Sequence, residues 1–300
     1  MMTNLSLSRR QLLLSSLAAS TCFQLQAIAM AAPSGAKGSA RLRQSVCRGP
    51  FSKIPMDAFC EACKEIGIES IELLEPAEYP TVLKHGLSCA VGRFTSEKLP
   101  ESHIICGWNR PEYHEVLIPG YETLIRQTAD AGFNKVICFS GSRKGMDDQT
   151  GLENCAAGLA KLMPLCDRLG VTMVMELLNS KVNHPDYMAD NSPFGIALCQ
   201  KIDHPRFRLL YDIYHMQIME GNLCATIRDH HPWFAHYHTA GVPGRHEIDQ
   251  SQEINYPAVV KAILETGYRD YIAQEFSPTR PDKLASLKQA VDICSHSLEG

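Results

Sequence analysis

A recurring punctuation organises this chain: a helical stretch of alternating polar and apolar residues ends at a glycine and runs into a short apolar segment. "CKEIGIESIELLEP", "TADAGFNKVICFSG", "CDRLGVTMVMELLN" and "ILETGYRDYIAQEF" all follow it. Gly67, Gly132, Gly170 and Gly267 stand where a helix stops in a left-handed cap. The segments that follow are too uniformly apolar for a strand with one wet face, which is the pattern of parallel strands covered on both sides.

The intervening helices obey the 3.6-residue period. In "NYPAVVKAILETG", Tyr256, Val259, Val260, Ile263 and Leu264 share a face, Asn255 is placed to cap the helix and Pro257 suits its first turn. Met56, Phe59, Cys60 and Cys63 do the same in "PMDAFCEACKEIG". "GLENCAAGLAKLMPLCDRLG" carries Leu152, Cys155, Leu159, Leu162, Cys166 and Leu169 on one face, and Pro164 should kink it. Strands are expected near 42–47, 68–74, 87–92, 134–139, 171–177, 207–212, 234–240 and 270–276. Eight strand–helix units in about 250 residues are the size of a (β/α)8 barrel, an α/β fold with a single parallel sheet closed on itself. A doubly wound open sheet competes, but no glycine-rich phosphate fingerprint follows the first strand.

Composition narrows the partners. The chain has 300 residues, is 45% hydrophobic and carries a formal charge of −4, so it can bury a sizeable core and has no basic surface for nucleic acid. Residues 1–32 are set apart from the barrel expected over 40–300. Arg9 and Arg10 precede a short apolar run and alanine-rich cleavage candidates, the layout of a twin-arginine export signal, so the expected location is periplasmic, or cytoplasmic if that segment is not a signal. No other segment approaches the roughly 18 apolar residues that span a bilayer. The 12 cysteines are scattered singly among apolar neighbours, apart from Cys60 and Cys63, and read as small buried hydrophobes and not as zinc ligands.

Chemistry in such barrels gathers where strands run out into the following loops. Those ends carry Glu176 after "VTMVM", Asp212 after "FRLLY", His238 within "FAHYHT" and Glu275 after "YIAQ". Singly, such acids cap helices or pair with bases, and a strand histidine is a core group. Two carboxylates could serve as an acid/base pair. Three acids and an imidazole on four successive strands would repel one another and lose solvation unless a cation held them, which points to one divalent metal. Mixed oxygen and nitrogen donors admit Mn²⁺ or Mg²⁺ first, Co²⁺ or Zn²⁺ next. His238 is nearer the rim than His236, which is expected one layer deeper. Arg245 follows a Pro-Gly turn and could reach a substrate carboxylate or distal hydroxyl. His184 and His246 are weaker candidates, and Glu72 reads as a supporting acid.

"VMELLN", "LLYDIYHMQIMEGN", "AHYHTAGVPGRHEID" and "IAQEF" resemble segments of the xylose-isomerase-like TIM barrels, the sugar isomerase and epimerase group, with hydroxypyruvate isomerases nearest. The resemblance covers nearly the whole chain after the leading segment. It implies a metal held by Glu176, Asp212, His238 and Glu275, proton transfer by Glu176 and Glu275, and substrate contact by His215. It also implies a small hydroxy-carbonyl or sugar substrate, isomerised through a cis-enediolate, and a homo-oligomer by analogy. At the position of His238 the bacterial hydroxypyruvate isomerases carry glutamine and ketose epimerases histidine. A ketose 3-epimerase or aldose–ketose isomerase is therefore the alternative activity. A non-catalytic sugar-binding barrel and a metal-dependent endonuclease are remoter.

Overall fold

A computed structural model describes residues 41–295, so the export signal expected in 1–32 lies outside the described residues. Seven parallel strands form one sheet in the order β2-β1-β7-β6-β5-β4-β3: β1 Arg43–Cys47, β2 Ser70–Glu72, β3 Lys135–Cys138, β4 Thr172–Glu176, β5 Phe207–Asp212, β6 Phe234–Thr239 and β7 Tyr271–Gln274. Almost every residue of these strands is buried, as two-sided cover by helices requires.

The eighth rung differs from a regular strand. Residues 87–92, expected as the third strand, pair only by isolated bridges, Ser70 with Ser88, Leu74 with Gly92 and Gly92 with Val136. They nevertheless close the ring: Ile71 donates to the Ser88 carbonyl at 3.1 Å and Leu73 to Val91 at 2.8 Å on one side. On the other, Gly92 donates to Lys135 and accepts from Ile137, both at 2.9 Å. A side chain at Gly92 would collide with the Tyr79 hydroxyl, since its Cβ would lie 2.1 Å from that oxygen. Glycine here lets the backbone approach closely, at the cost of a weaker ladder. The result is the expected (β/α)8 barrel.

The helices are α1 Met56–Ile66, α2 Tyr79–Lys84, α3 His114–Asp130, α4 Asp148–Leu159, α5 Met163–Leu169, α6 Ser192–Ile202, α7 Ile213–Met219, α8 Leu223–His230, α9 Tyr256–Glu265 and α10 Lys283–Cys294. Gly67 and Gly170 cap α1 and α5 in the left-handed region, and Gly132 and Gly267 turn the chain the same way just past α3 and α9. The Asn255 side chain accepts from the Ala258 amide at the start of α9. Pro164 does more than kink a helix: α4 and α5 are separate, joined by a 3-10 turn at Ala160–Leu162, and Pro164 sits in the first turn of α5. A proline there leaves no hydrogen bond unmade. Among the described residues no helix is long and apolar enough to cross a membrane.

Ten of the described cysteines are buried and Cys224 is partly so, all as free thiols. Most pack in the core as expected. Cys47, at the end of β1, is the exception, because its thiol faces the site described next.

Candidate active site

The parallel sheet brings its C-terminal ends to one rim, and the rim carboxylates arrive there by register. Glu176 ends β4, Asp212 ends β5 and pairs across the ladder with His238 of β6, and Glu275 follows the last residue of β7. A register shift between Leu209 and Leu210 sets that Asp212–His238 alignment. Ligand atoms of Glu176, Asp212, His238 and Glu275 all lie within 4.8 Å of one another, so the structure brings together the four residues singled out from the sequence.

The donor set fits a divalent cation on its own geometry. Asp212 Oδ2 is buried without a hydrogen-bond partner, and buried Glu176 Oε1 has only the His238 ring nitrogen beside it, a costly arrangement for carboxylate oxygens unless a cation faces them. His238 Nδ1 lies 2.8 Å from Glu275 Oε2 and 3.2 Å from Glu176 Oε1, which aims that nitrogen into the acid cluster. Arg245 Nη2 bonds Glu275 Oε2 at 2.8 Å and lies 3.9 Å from Asp212 Oδ2. These charges divide the three acids. Against the cost of burial, Arg245 and His238 hold the Glu275 carboxyl well below the usual carboxylate range. Burial and the Glu275 charge push Glu176 up, and push Asp212 up to about 7. A cation would bring all three to the ionised form.

Arg245 reaches the cluster from a tight turn. Its φ of 61° lies in the left-handed region, at a cost of about 1 kcal/mol or more for a side chain of this kind. The turn is held by Arg245 N to Gly241 O at 2.9 Å and Ser277 N to Arg245 O at 2.7 Å. His215, the third residue of α7, donates its backbone N–H to Asp212 Oδ1 at 3.0 Å, so Asp212 caps that helix while facing the cluster. The Asn179 backbone N–H donates to His215 Nδ1 at 3.1 Å, which leaves the ring proton on Nε2, 3.8 Å from Asp212 Oδ2. Burial and the Arg245 charge hold His215 neutral, well below the usual histidine range. It is thus a fixed N–H donor beside the acids. His184 packs against it, with ring centroids 5.3 Å apart, and lines the cavity. His246 bonds the Ser277 carbonyl on the exposed side of the turn and belongs to the turn, not to the cluster.

The supporting role expected of Glu72 turns out to be central. β2 and β6 are separated in the sheet by β1 and β7, so contact between them crosses the barrel interior. Glu72 Oε1 lies 2.8 Å from Nε2 of both His236 and His238. Its other oxygen accepts from the Ser45 hydroxyl at 2.6 Å. All three of Glu72, His236 and His238 are fully buried. Burial alone would raise the Glu72 carboxyl, but the two imidazoles, His236 first, hold it down to about 2. A carboxylate on Nε2 leaves the His238 Nδ1 lone pair for a cation, the arrangement that orients metal-binding histidines. His236 is therefore one layer deeper, as expected, and acts through Glu72. Cys47 Sγ stands 3.8 Å from His238 Nε2 and groups with His238 and Glu275, a proximity that its apolar sequence context hid. Glu72→Gln is expected to weaken Mn²⁺ binding about 10- to 100-fold, read by calorimetric titration. Unchanged affinity would mean that packing alone orients His238.

A sequence-family model described as "Xylose isomerase-like TIM barrel" matches residues 44–294. The chain belongs to that family. Among curated relatives, it is 34% identical over 112 residues to a putative hydroxypyruvate isomerase of Danio rerio, covering 37% of this chain and 41% of the relative. The chain thus matches about two fifths of that relative's length. A 2-oxo-tetronate isomerase of Pectobacterium atrosepticum is 27% identical over 245 residues, covering 76% of this chain and 88% of the relative. Two solved structures share the fold. An AP endonuclease, family 2, from Brucella melitensis superposes with a TM-score of 0.72 at 22% identity, covering 83% and 96% of the two chains. A 3-keto-D-glucoside 4-epimerase from E. coli does so at 0.70 and 15%, covering 84% and 98%.

Proposed function

We propose that this protein is a metal-dependent isomerase that moves a proton between neighbouring carbons of a small hydroxy-carbonyl compound through a cis-enediolate. The observation that carries the reading is the convergence of Glu176, Asp212, His238 and Glu275 within ligand distance, with both glutamates lining one cavity. The names of the curated relatives support the same class.

Glu176, Asp212, His238 and Glu275 would hold the ion, whose chemistry there is Lewis acidity towards a carbonyl and its neighbouring hydroxyl. Arg245 and His215 supply the remaining positive and N–H character around the substrate oxygens. Glu275, held ionised by Arg245, takes the proton from the carbon beside the carbonyl, and Glu176 serves the neighbouring carbon. For hydroxypyruvate the proton leaves C3 and one returns at C2, while the hydroxyl proton moves from the C3 oxygen to the C2 oxygen, giving tartronate semialdehyde. Hydroxypyruvate is the substrate in the name of the Danio rerio relative, and 2-oxo-tetronate that in the name of the relative matched over more of its length. A ketose, epimerised or isomerised by the same two carboxylates, is the reading favoured by histidine at 238.

Proton exchange in D₂O tests the reaction class. With Mn²⁺ or Mg²⁺, deuterium is expected to enter one of hydroxypyruvate and a panel of ketoses beside the carbonyl, and EDTA is expected to stop it. Absence of exchange in every compound, with metal bound, would reject the enediolate reading in favour of a binding barrel. We also propose that residues 1–32 direct export through the twin-arginine route. Replacing Arg9 and Arg10 by lysine should then leave the protein in the cytoplasmic fraction, and periplasmic recovery unchanged by that replacement would reject the route.

A further inference from the structure

Arg245 meets Glu275 across a joint between two loops. Arg245 belongs to the segment that follows β6, and Glu275 opens the segment between β7 and α10. Arg245 Nη2 lies 2.8 Å from Glu275 Oε2, whereas its Nε is buried without a hydrogen-bond partner. One contact at the tip fixes a long side chain poorly, so the backbone beneath it decides where the guanidinium stands. That backbone is left-handed at Arg245, with φ at 61°, and keeps this conformation only where its surroundings impose it.

The side chain of Glu247, two residues on, ties that backbone down. Glu247 is only 5% exposed and does not line the cavity. Its carboxylate accepts four hydrogen bonds from residues beyond β7. Oε1 accepts from the backbone N–H of Thr279 at 2.9 Å and of Arg280 at 3.3 Å, and from the Ser286 hydroxyl at 3.0 Å. Oε2 accepts from the Thr279 hydroxyl at 2.9 Å. None of these donors is charged, so hydrogen bonds offset the burial of this carboxylate. Two further contacts join the same loops: Ser277 N–H donates to the Arg245 carbonyl at 2.7 Å, and His246 Nδ1 lies 3.1 Å from the Ser277 carbonyl. Behind the turn, a Cβ at Gly241 would lie 2.2 Å from the Glu247 carbonyl oxygen, so backbone packs directly on backbone there.

We propose that Glu247 is a positioning residue, whose carboxylate locks the Arg245 loop onto the Glu275 loop and so places the Arg245 guanidinium on Glu275. The effect on catalysis rests on the isomerase reading above, whereas the placement itself does not. Glu247 works here through the shape of its hydrogen-bond cradle and not through its charge. Glutamine therefore replaces it: Oε1 still accepts from the two backbone N–H groups and Ser286, and the side-chain NH₂ donates to the Thr279 hydroxyl oxygen. Alanine does not.

Three readouts on the full protein test this. The buried Arg245 Nε–H should give an NMR signal protected from water, assigned by its loss in Arg245→Met. Glu247→Ala should speed its exchange with water at least about tenfold, and Glu247→Gln should leave it within about twofold of the parent. Mn²⁺ affinity, from calorimetric titration at pH 8, supplies a sign that a merely structural role would not. A guanidinium on Glu275 competes with a cation for that carboxylate, so its release by Glu247→Ala should tighten Mn²⁺ binding about 3- to 10-fold. General loosening of the site would weaken binding instead. Deuterium entry beside the substrate carbonyl should slow about 10- to 100-fold in Glu247→Ala. Adding Glu247→Ala to Arg245→Met should slow it by no more than a further factor of about two. Thr279→Val combined with Ser286→Ala weakens the cradle from its other wall and should move the Nε–H and Mn²⁺ readouts the same way, which covers a Glu247→Ala protein that does not fold. Unchanged Nε–H protection, weaker Mn²⁺ binding, a glutamine variant that behaves like alanine, or full additivity with Arg245→Met overturns the placement. Lost Nε–H protection in Glu247→Ala, with neither Mn²⁺ binding nor deuterium entry in the parent, would uphold the placement and reject the isomerase reading.

Discussion

Glu275→Gln is expected to abolish deuterium exchange beside the substrate carbonyl, by about 10²- to 10⁴-fold, while the protein stays folded and keeps much of its metal affinity. The argument starts from charge. Of the three acids in the cluster, Glu275 is the one held ionised by Arg245 and His238, so it is the group ready to accept a proton. The amide matches the carboxylate in shape and can still accept from Arg245 Nη2, now 2.8 Å from Glu275 Oε2, but it cannot act as a base. The measurement is NMR exchange in D₂O alongside Mn²⁺ titration of the same sample. Exchange at the parent rate would remove Glu275 from the chemistry. Loss of exchange together with loss of metal would make Glu275 chiefly a ligand.

Metal removal should have the second large effect, on stability, and should depend on pH. Saturating Mn²⁺ at about 100 times its dissociation constant stabilises a folded protein by about 2.7 kcal/mol. At about 2–4 °C per kcal/mol for a chain of this size, EDTA should lower Tm by about 5–10 °C. The sign of the pH dependence follows from Asp212. Without a cation, burial and the Glu275 charge raise it to about 7, whereas in an unfolded chain it titrates near 4. Its contribution to cation-free stability is therefore fully present below about pH 4 and lost as pH rises through about 7. Cation binding needs the carboxylate form, so affinity rises over the same interval. The Tm difference between Mn²⁺ and EDTA should widen from pH 5 to pH 8, as measured by calorimetry. A difference that narrowed with pH would contradict the cluster as the binding site.

Local chemistry explains what could be read early. Helix ends at Gly67 and Gly170 were legible because a left-handed cap favours glycine whatever surrounds it. The rim acids were legible because an ionisable residue ending an apolar run has few places to go in a parallel barrel. The rung at 88–92 was harder. Its apolar run looked like a strand, but close packing of Gly92 against Tyr79 and bridges that stay isolated on both sides leave no ladder to recognise. The break before Pro164 was visible only as a kink, since apolar spacing continues across it while the backbone does not.

Sequence by itself determined the barrel and the four side chains at the rim, because period, caps and strand polarity are properties of consecutive residues. Only the tertiary structure decided how Glu72 serves two histidines 164 and 166 residues away, why Cys47 faces His238, and that Phe94, His103 and Phe139 line the same cavity as Glu176 and Glu275. Periodicity tells which face of a strand is buried. It does not tell what meets that face across the barrel, because that neighbour is chosen by the closure of the whole sheet.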